Sequence, residues 1–258
     1  MRILLTNDDG IDAPGLAALE RIALKLTDEV WVCAPEAEMS GASRALTLAD
    51  PIRVRKLGPR RFATTGTPTD CVMLAISELM AGAKPDLALS GVNRGANAAE
   101  DVTMSGTVAG AIEAMALGVP GIALSQMGGY GAGEAYFAAA ETFAPGIIRK
   151  LVETGWPADV VMNVNFPDTP APEIEAVEVT RQGFRDAQIR HAEKRTDLRG
   201  RDYYWIGFRH ERSKPAEGTD LRALYEGRIS VTPLHIDLTH QPTVRDLKGV
   251  LGGAPPRL

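Results

Sequence analysis

Asp8 and Asp9 stand side by side at the end of the first hydrophobic run, MRILLTNDDG, where a short buried strand from Arg2 to Thr6 breaks into a turn at Asn7, Asp8, Asp9 and Gly10. Adjacent carboxylates repel each other, so the pair is costly unless something positive sits between them. A hard divalent cation, which prefers oxygen ligands, is the simplest such object. The competing reading is an ordinary Asx-rich turn, in which Asn and Asp bond their own backbone. Two further loops carry groups of the same chemistry. APEAEMSGASRALT supplies Ser40 and Ser43, and GVNRGANAAEDVTMSGT supplies Asn93, Asn97 and Ser105. Carboxylate, amide and hydroxyl oxygens suit magnesium, manganese or calcium better than a thiolate-seeking ion. Ser105, Gly106 and Thr107 then open a helix, whose unpaired N–H groups and positive dipole end can hold an anion. A plain N-cap by Ser105 or Thr107 is the alternative there. Arg44 follows Ser40 in the same loop, and its guanidinium could bond a substrate phosphate bidentately. An exposed loop arginine is the competing reading.

These loops need a scaffold that brings them together, and the pattern around them predicts one. Pro14 stands at a helix start, and Leu16, Leu19, Ile22, Ala23 and Leu26 follow at helical spacing. A strand from Glu29 to Cys33 completes a βαβ unit, which implies parallel pairing with a right-handed crossover. IRVRKL and RRFATTG read as a hairpin. Thr67, Pro68 and Asp70 predict a capped helix whose buried face includes Leu74 and Leu79. Strands over Asp86–Ser90 and Gly121–Ser125 flank a helix from Thr107 to Leu117. A helical stretch from Glu134 to Val152 is expected to break at Pro145, and DVVMNVNF closes the parallel run. The expected fold is α/β: a Rossmann-like, doubly wound, mostly parallel sheet over residues 1–166, with a β-rich C-terminal extension over 167–258. In such sheets ligands bind beyond the carboxyl ends of the strands, which gathers the three loops at one edge.

Composition narrows the class. The 258 residues are 45% hydrophobic and 24% charged with a net charge of −5, an ordinary globular balance. That charge argues against a nucleic-acid polymer as partner, since such binding is driven by basic surfaces. A small phosphate compound stays open, because a bound cation supplies positive charge locally. Cys33 and Cys71 are too far apart in sequence for a metal or redox motif, and two lone thiols fit a reducing cytoplasm. No leader is expected before the first strand. The most apolar stretch carries Glu113 and is broken by Gly118 and Pro120, so no membrane span is expected. His191, His210, His235 and His240 show no zinc spacing and lie outside the three loops. There is no Walker-type lysine motif and no Gly-x-Gly-x-x-Gly.

NDDG, SGAS, GTPTDCV, PDLALSGVNRGAN, DVTMSGTV, TDLRGRDYYWIG and GRISVTPLHIDLT, taken together and in this order, resemble the SurE family of survival-protein nucleotidases. The resemblance runs from Met1 to about Thr239. It implies a divalent-metal-dependent phosphatase (5′-nucleotidase) acting on nucleoside 5′- and 3′-monophosphates, with some members also trimming short polyphosphate. It implies catalytic roles for Asp8 and Asp9, with one divalent ion per subunit, magnesium or manganese first and calcium or cobalt next. Its ligands would be Asp8, Asp9, Ser40 and Asn93, and Asn97, Ser105, Gly106 and Thr107 would contact the phosphate. The extension would be exchanged between subunits, giving a homodimer or homotetramer. Arg44, Met104, Leu198 and Arg228 depart from residues usual in the family at those positions.

A phosphomonoesterase is therefore the expected function. The alternative is a non-enzymatic receiver or metal-dependent nucleotide-sensing module, since receivers also carry acid pairs after their first strand. A receiver would need a phosphoacceptor aspartate at a central strand end, and the Asp86–Ser90 strand ends in Ser-Gly instead.

Overall fold

A computed structural model describes residues 1–80, 82–128, 136–185, 188–210 and 214–251, with the backbone alone for 188–190 and 208–210. Its centre is β1, Ile3–Thr6, every residue of which is buried. Alternation sends Ile3 and Leu5 into one hydrophobic cluster and Leu4 into another on the opposite face. Chain β1, helix α1 (Pro14–Leu24) and β2 (Val30–Pro35) form the expected parallel βαβ unit. The hairpin follows as β3 (Val54–Gly58) and β4 (Arg61–Thr64), with β4 parallel to β2. The chain then crosses to the other side of β1. Strands β5 (Leu87–Arg94), β6 (Gly121–Gln126) and β7 (Val161–Phe166) add in parallel there. They are linked through α3 (Gly106–Ala116) and α4 (Ala138–Thr154), α2 being Pro68–Leu74. Because β2 and β5 lie on opposite sides of β1, the strand order reverses between β1 and β5. That crevice is where doubly wound sheets bind ligands.

The tail completes the same sheet. Strand β11 (Ile229–Leu234) pairs antiparallel with β7, and β8 (Val177–Val179) pairs parallel with β11, closing a nine-stranded order β3-β4-β2-β1-β5-β6-β7-β11-β8. Strands β9 (Gln188–Thr196) and β10 (Asp202–His210) form a separate antiparallel arm. Short α5 (Asp220–Tyr225) precedes β11, and α6 (Gln241–Leu251) follows it with no buried residue.

Two local expectations are corrected. Thr67 does cap α2, with the reciprocal Asp70 contact, but at Ala75 the helix widens into a π-turn to Leu79. This turns Cys71, Val72, Ala75 and Met80 inward and leaves Leu74 and Leu79 half-buried. Pro145 does not interrupt α4, which runs through it. Proline frees the carbonyl four residues earlier, and Lys25 Nζ of α1 donates to that Glu141 oxygen at 2.9 Å. The expected start of this helix at Glu134 lies outside the described residues. Cys33 and Cys71 remain free thiols, both buried, and the neighbouring Cys71 together with burial pushes the Cys33 thiol well up.

Candidate active site

At the β1–β5 switch point opens a cleft of about 710 Å³. Asp8, Asp9, Ser40, Asn93, Asn97 and Ser105 all line it, so residues from the three loops do meet at one edge. Strand geometry delivers each. The turn after β1 is closed by Asn7 Nδ2 donating to the Gly10 carbonyl at 2.9 Å. The Ser40 loop is tied to that turn by the Met39 N–H, which donates to the Asp8 carbonyl at 2.8 Å. In β5 the register with β6 shifts between Ser90 and Asn93. Gly91 carries this irregularity with φ +137°, and a Cβ there would lie 2.2 Å from the Leu124 carbonyl oxygen. Such irregularities re-aim side chains, and here Asn93 reaches the cleft.

The start of α3 does hold an anion, but that anion is Asp8. The Thr107 hydroxyl donates to Asp8 Oδ1 at 2.5 Å, and the nearby Thr107 backbone N–H also favours the charged carboxylate. Ser105 Oγ meanwhile accepts the Val108 N–H at 3.0 Å as an N-cap. Helix and carboxylate come this close because residue 106 is glycine: a Cβ there would sit 2.8 Å from Asp8 Cβ. Thr107 is fully buried, and neither it nor Gly106 lines the cleft. In this structure Thr107 holds Asp8, and Gly106 lets the helix start come close to it.

Electrostatics explain why the pair invites a cation. Burial pushes the Asp8 carboxyl above its ordinary value despite the Thr107 bonds. Burial and then the Asp8 charge push Asp9 up to about 6, while the Arg94 N–H pulls the other way. Among the described residues no basic side chain closes an ion pair with either carboxylate. The described residues also contain no group of three or more His, Cys, Asp or Glu side chains fit for a metal. A cation bound here would complete its shell with neutral oxygens. Ser40 is one source, its hydroxyl now donating to Glu38 at 2.7 Å. Asn93 is another, since its amide nitrogen is taken by the Gly95 carbonyl at 2.9 Å, which leaves its oxygen to present. An all-oxygen set of this kind fits a hard divalent ion.

Asn97 is held firmly. Its Nδ2 donates to Ser125 Oγ at 2.9 Å, its N–H to Asn165 Oδ1 at 2.8 Å, and its carbonyl accepts from Asn163 at 2.8 Å. Arg44 does not line the cleft. Its Nε and Nη2 both donate to one Glu113 oxygen, at 3.1 and 2.7 Å, beside a smaller pocket that His235 also lines. Ser43 donates to the Thr103 carbonyl at 2.8 Å.

A family model described as Survival protein SurE matches residues 3–189. This chain belongs to the SurE family. It is 77% identical over 258 residues, the whole of both chains, to a protein of Phenylobacterium zucineum named 5′-nucleotidase SurE. One of the same name from Caulobacter vibrioides is 73% identical over 259 residues, covering 100% of this chain and 98% of the other. Among solved structures, a SurE protein from Aquifex aeolicus superposes with a TM-score of 0.82 at 40% identity, covering 97% of this chain and 99% of that one. The SurE assignment agrees with the α/β, mostly parallel sheet.

Among the residues of this SurE cleft that sequence reading missed are Glu38, Arg94, Asp101 and Phe137. Glu38 and Arg94 lie within two residues of residues already singled out, so loop membership could have flagged them. Asp101 lies within the GVNRGANAAEDVTMSGT loop and shares that signal, whereas Phe137 carries none. Arg94 lies with its guanidinium carbon 5.2 Å from the Tyr136 ring centre and is the cationic side chain among those lining the cleft.

Proposed function

We infer that this chain is a 5′-nucleotidase, a phosphomonoesterase that releases phosphate from nucleoside 5′-monophosphates. One observation carries the reading. Asp8 and Asp9, which form no ion pair with a basic side chain among the described residues, line the cleft at the switch point of a chain 77% identical along its length to a protein named 5′-nucleotidase SurE. The receiver alternative loses support, because β5 brings Asn93 and Arg94 to the cleft where a phosphoacceptor aspartate would be needed.

The finer readings belong to the same proposal. One divalent ion per subunit, magnesium or manganese first, would be held by Asp8, Asp9, Ser40 and Asn93. When bound, it would lower the pKa of a coordinated water and offset charge on the phosphoryl oxygens. The chain's own groups do the rest. Thr107 fixes Asp8 in one orientation through its hydroxyl, so the carboxylate does not swing as substrate arrives. Asp9, less buried than Asp8, is the carboxylate able to orient a water toward phosphorus and take its proton. Asn97, locked by Ser125 and Asn165, offers its carboxamide to a phosphoryl oxygen. Arg94 adds a positive charge to a wall that otherwise carries Asp8, Asp9, Glu38 and Asp101. Activity on 3′-monophosphates and short polyphosphate, homo-oligomer formation and a cytoplasmic setting are proposed alongside. No described helix is long and apolar enough to cross a membrane.

The experiment is phosphate release from a panel of nucleoside 5′- and 3′-monophosphates with magnesium, manganese, calcium or cobalt, against a chelator control. Metal-dependent release is expected. Equal release with the chelator present would remove the cation from the proposal, and no release under any condition would remove the phosphatase.

A further inference from the structure

The loop that carries Asn97 and Ser105 into the cleft is gripped by residues for which the chemistry above has no use. Within it, Ala99 has φ +56°, in the left-handed region that residues with a Cβ rarely adopt. Asp220, the first residue of α5, is fully buried. Its Oδ2 accepts the Ala99 N–H at 2.9 Å. Its Oδ1 accepts the N–H groups of Gly183 at 2.9 Å and Leu221 at 2.7 Å. Gln182 Nε2 donates to the Ala99 carbonyl at 3.0 Å. Both polar backbone groups of the strained residue are therefore held from the C-terminal part of the chain. Next to it, the Arg185 N–H donates to Glu100 at 2.9 Å, and the Arg185 guanidinium holds Asp101 Oδ2 at 2.9 and 2.6 Å. A strained backbone persists only where its surroundings over-determine it.

We propose that Asp220 and Gln182 are positioning residues for the hydrolytic reaction, holding Ala99 left-handed so that Asn97 before it and Ser105 after it stand correctly in the cleft. The kinetic consequence rests on the 5′-nucleotidase reading, whereas the grip itself does not. Asp220→Asn turns one acceptor into a donor that faces an N–H, so a bond of the grip is lost. The kcat for adenosine 5′-monophosphate should fall on the order of tenfold or more, as expected when a charged hydrogen bond is removed. Manganese affinity by calorimetry should hold, because Asp8 and Asp9 sit on the turn after β1 and Asn93 lies within β5, ahead of the gripped segment. The Ala99 amide, protected in the wild type, should exchange faster with deuterium.

Adding Ala99→Gly supplies a residue that adopts the left-handed conformation without steric cost, and should restore most of the lost kcat. Gln182→Ala is the gentler variant should Asp220→Asn not fold, with a several-fold loss and the same rescue by Ala99→Gly. Wild-type kcat in both variants would overturn the proposal. So would a loss that Ala99→Gly does not rescue, since that marks a purely structural role. If the wild-type protein releases no phosphate, the functional reading fails by itself. Unchanged Ala99 exchange in the variants would then overturn the grip independently.

Discussion

Asp8 is made by its neighbours. Its carboxylate would be a liability in a buried strand end, yet Thr107 at the start of α3 holds it in one orientation. Asp8→Asn and Asp9→Asn should each lower nucleotidase turnover by ~10²-fold or more, the range for losing a positioned acid–base group, while circular dichroism stays native. Thr107→Val keeps the shape of the side chain but removes a donor to a charged oxygen, worth ~1.5–3 kcal/mol. Steady-state kinetics should show a loss of roughly tenfold or more. The raised acids also set a pH signature in metal-free protein. Asp9 reaches about 6 in the folded chain from an ordinary 3.8, so folding favours its protonated form. Its destabilising effect is absent below the unfolded value and fully present above about 6. With chelator, thermal melts of Asp9→Asn should exceed wild type by a few degrees near pH 7 to 8. The gap should close toward pH 4.

At the scale of elements, what sequence shows is what local chemistry decides. The buried strand before the acid pair, the helical spacing after Pro14 and the Thr67–Asp70 cap all read correctly, because each rests on neighbours in the chain. The Thr107–Asp8 bond was invisible because it joins residues 99 apart, so the sequence showed a helix start open to an anion but not the carboxylate that Thr107 already holds. The Ala99 grip was hidden for the same reason. Pro145 misled likewise: the rescue of its helix comes from Lys25 on another element. Lys25→Met should therefore lower the melting temperature by on the order of 2 °C. Pro145→Ala restores an N–H to Glu141, so the Lys25→Met effect should largely vanish in that background. A double-mutant cycle by thermal melts checks this.

For the molecule as a whole, the main core and the reach of its parallel strands were legible, but the destination of the tail was not. Strands β11 and β8 join the main sheet, which their spacing from the βα pattern gave no reason to expect. What remains outside is the β9–β10 arm, where Tyr204, Trp205 and Ile206 are 60%, 59% and 70% exposed, and α6 with Val250 80% exposed. The Phe208 side chain lies outside the described residues. Apolar surface on this scale is normally covered by another subunit. Light scattering at micromolar concentration should give the mass of a dimer or tetramer, and a clean monomer would contradict the proposed self-association.

The position of β11 also bears on how the chain is made. Strand β7 has β6 on one side and only β11 on the other, and β11 belongs to Ile229–Leu234. As the ribosome extends the chain from residue 167 to 228, β7 presents a fully buried-type strand with an open row of backbone donors and acceptors. Such an edge recruits other strands indiscriminately. Nascent chains stalled in that interval would be the ones that depend on a chaperone, while chains that have released residue 234 would not.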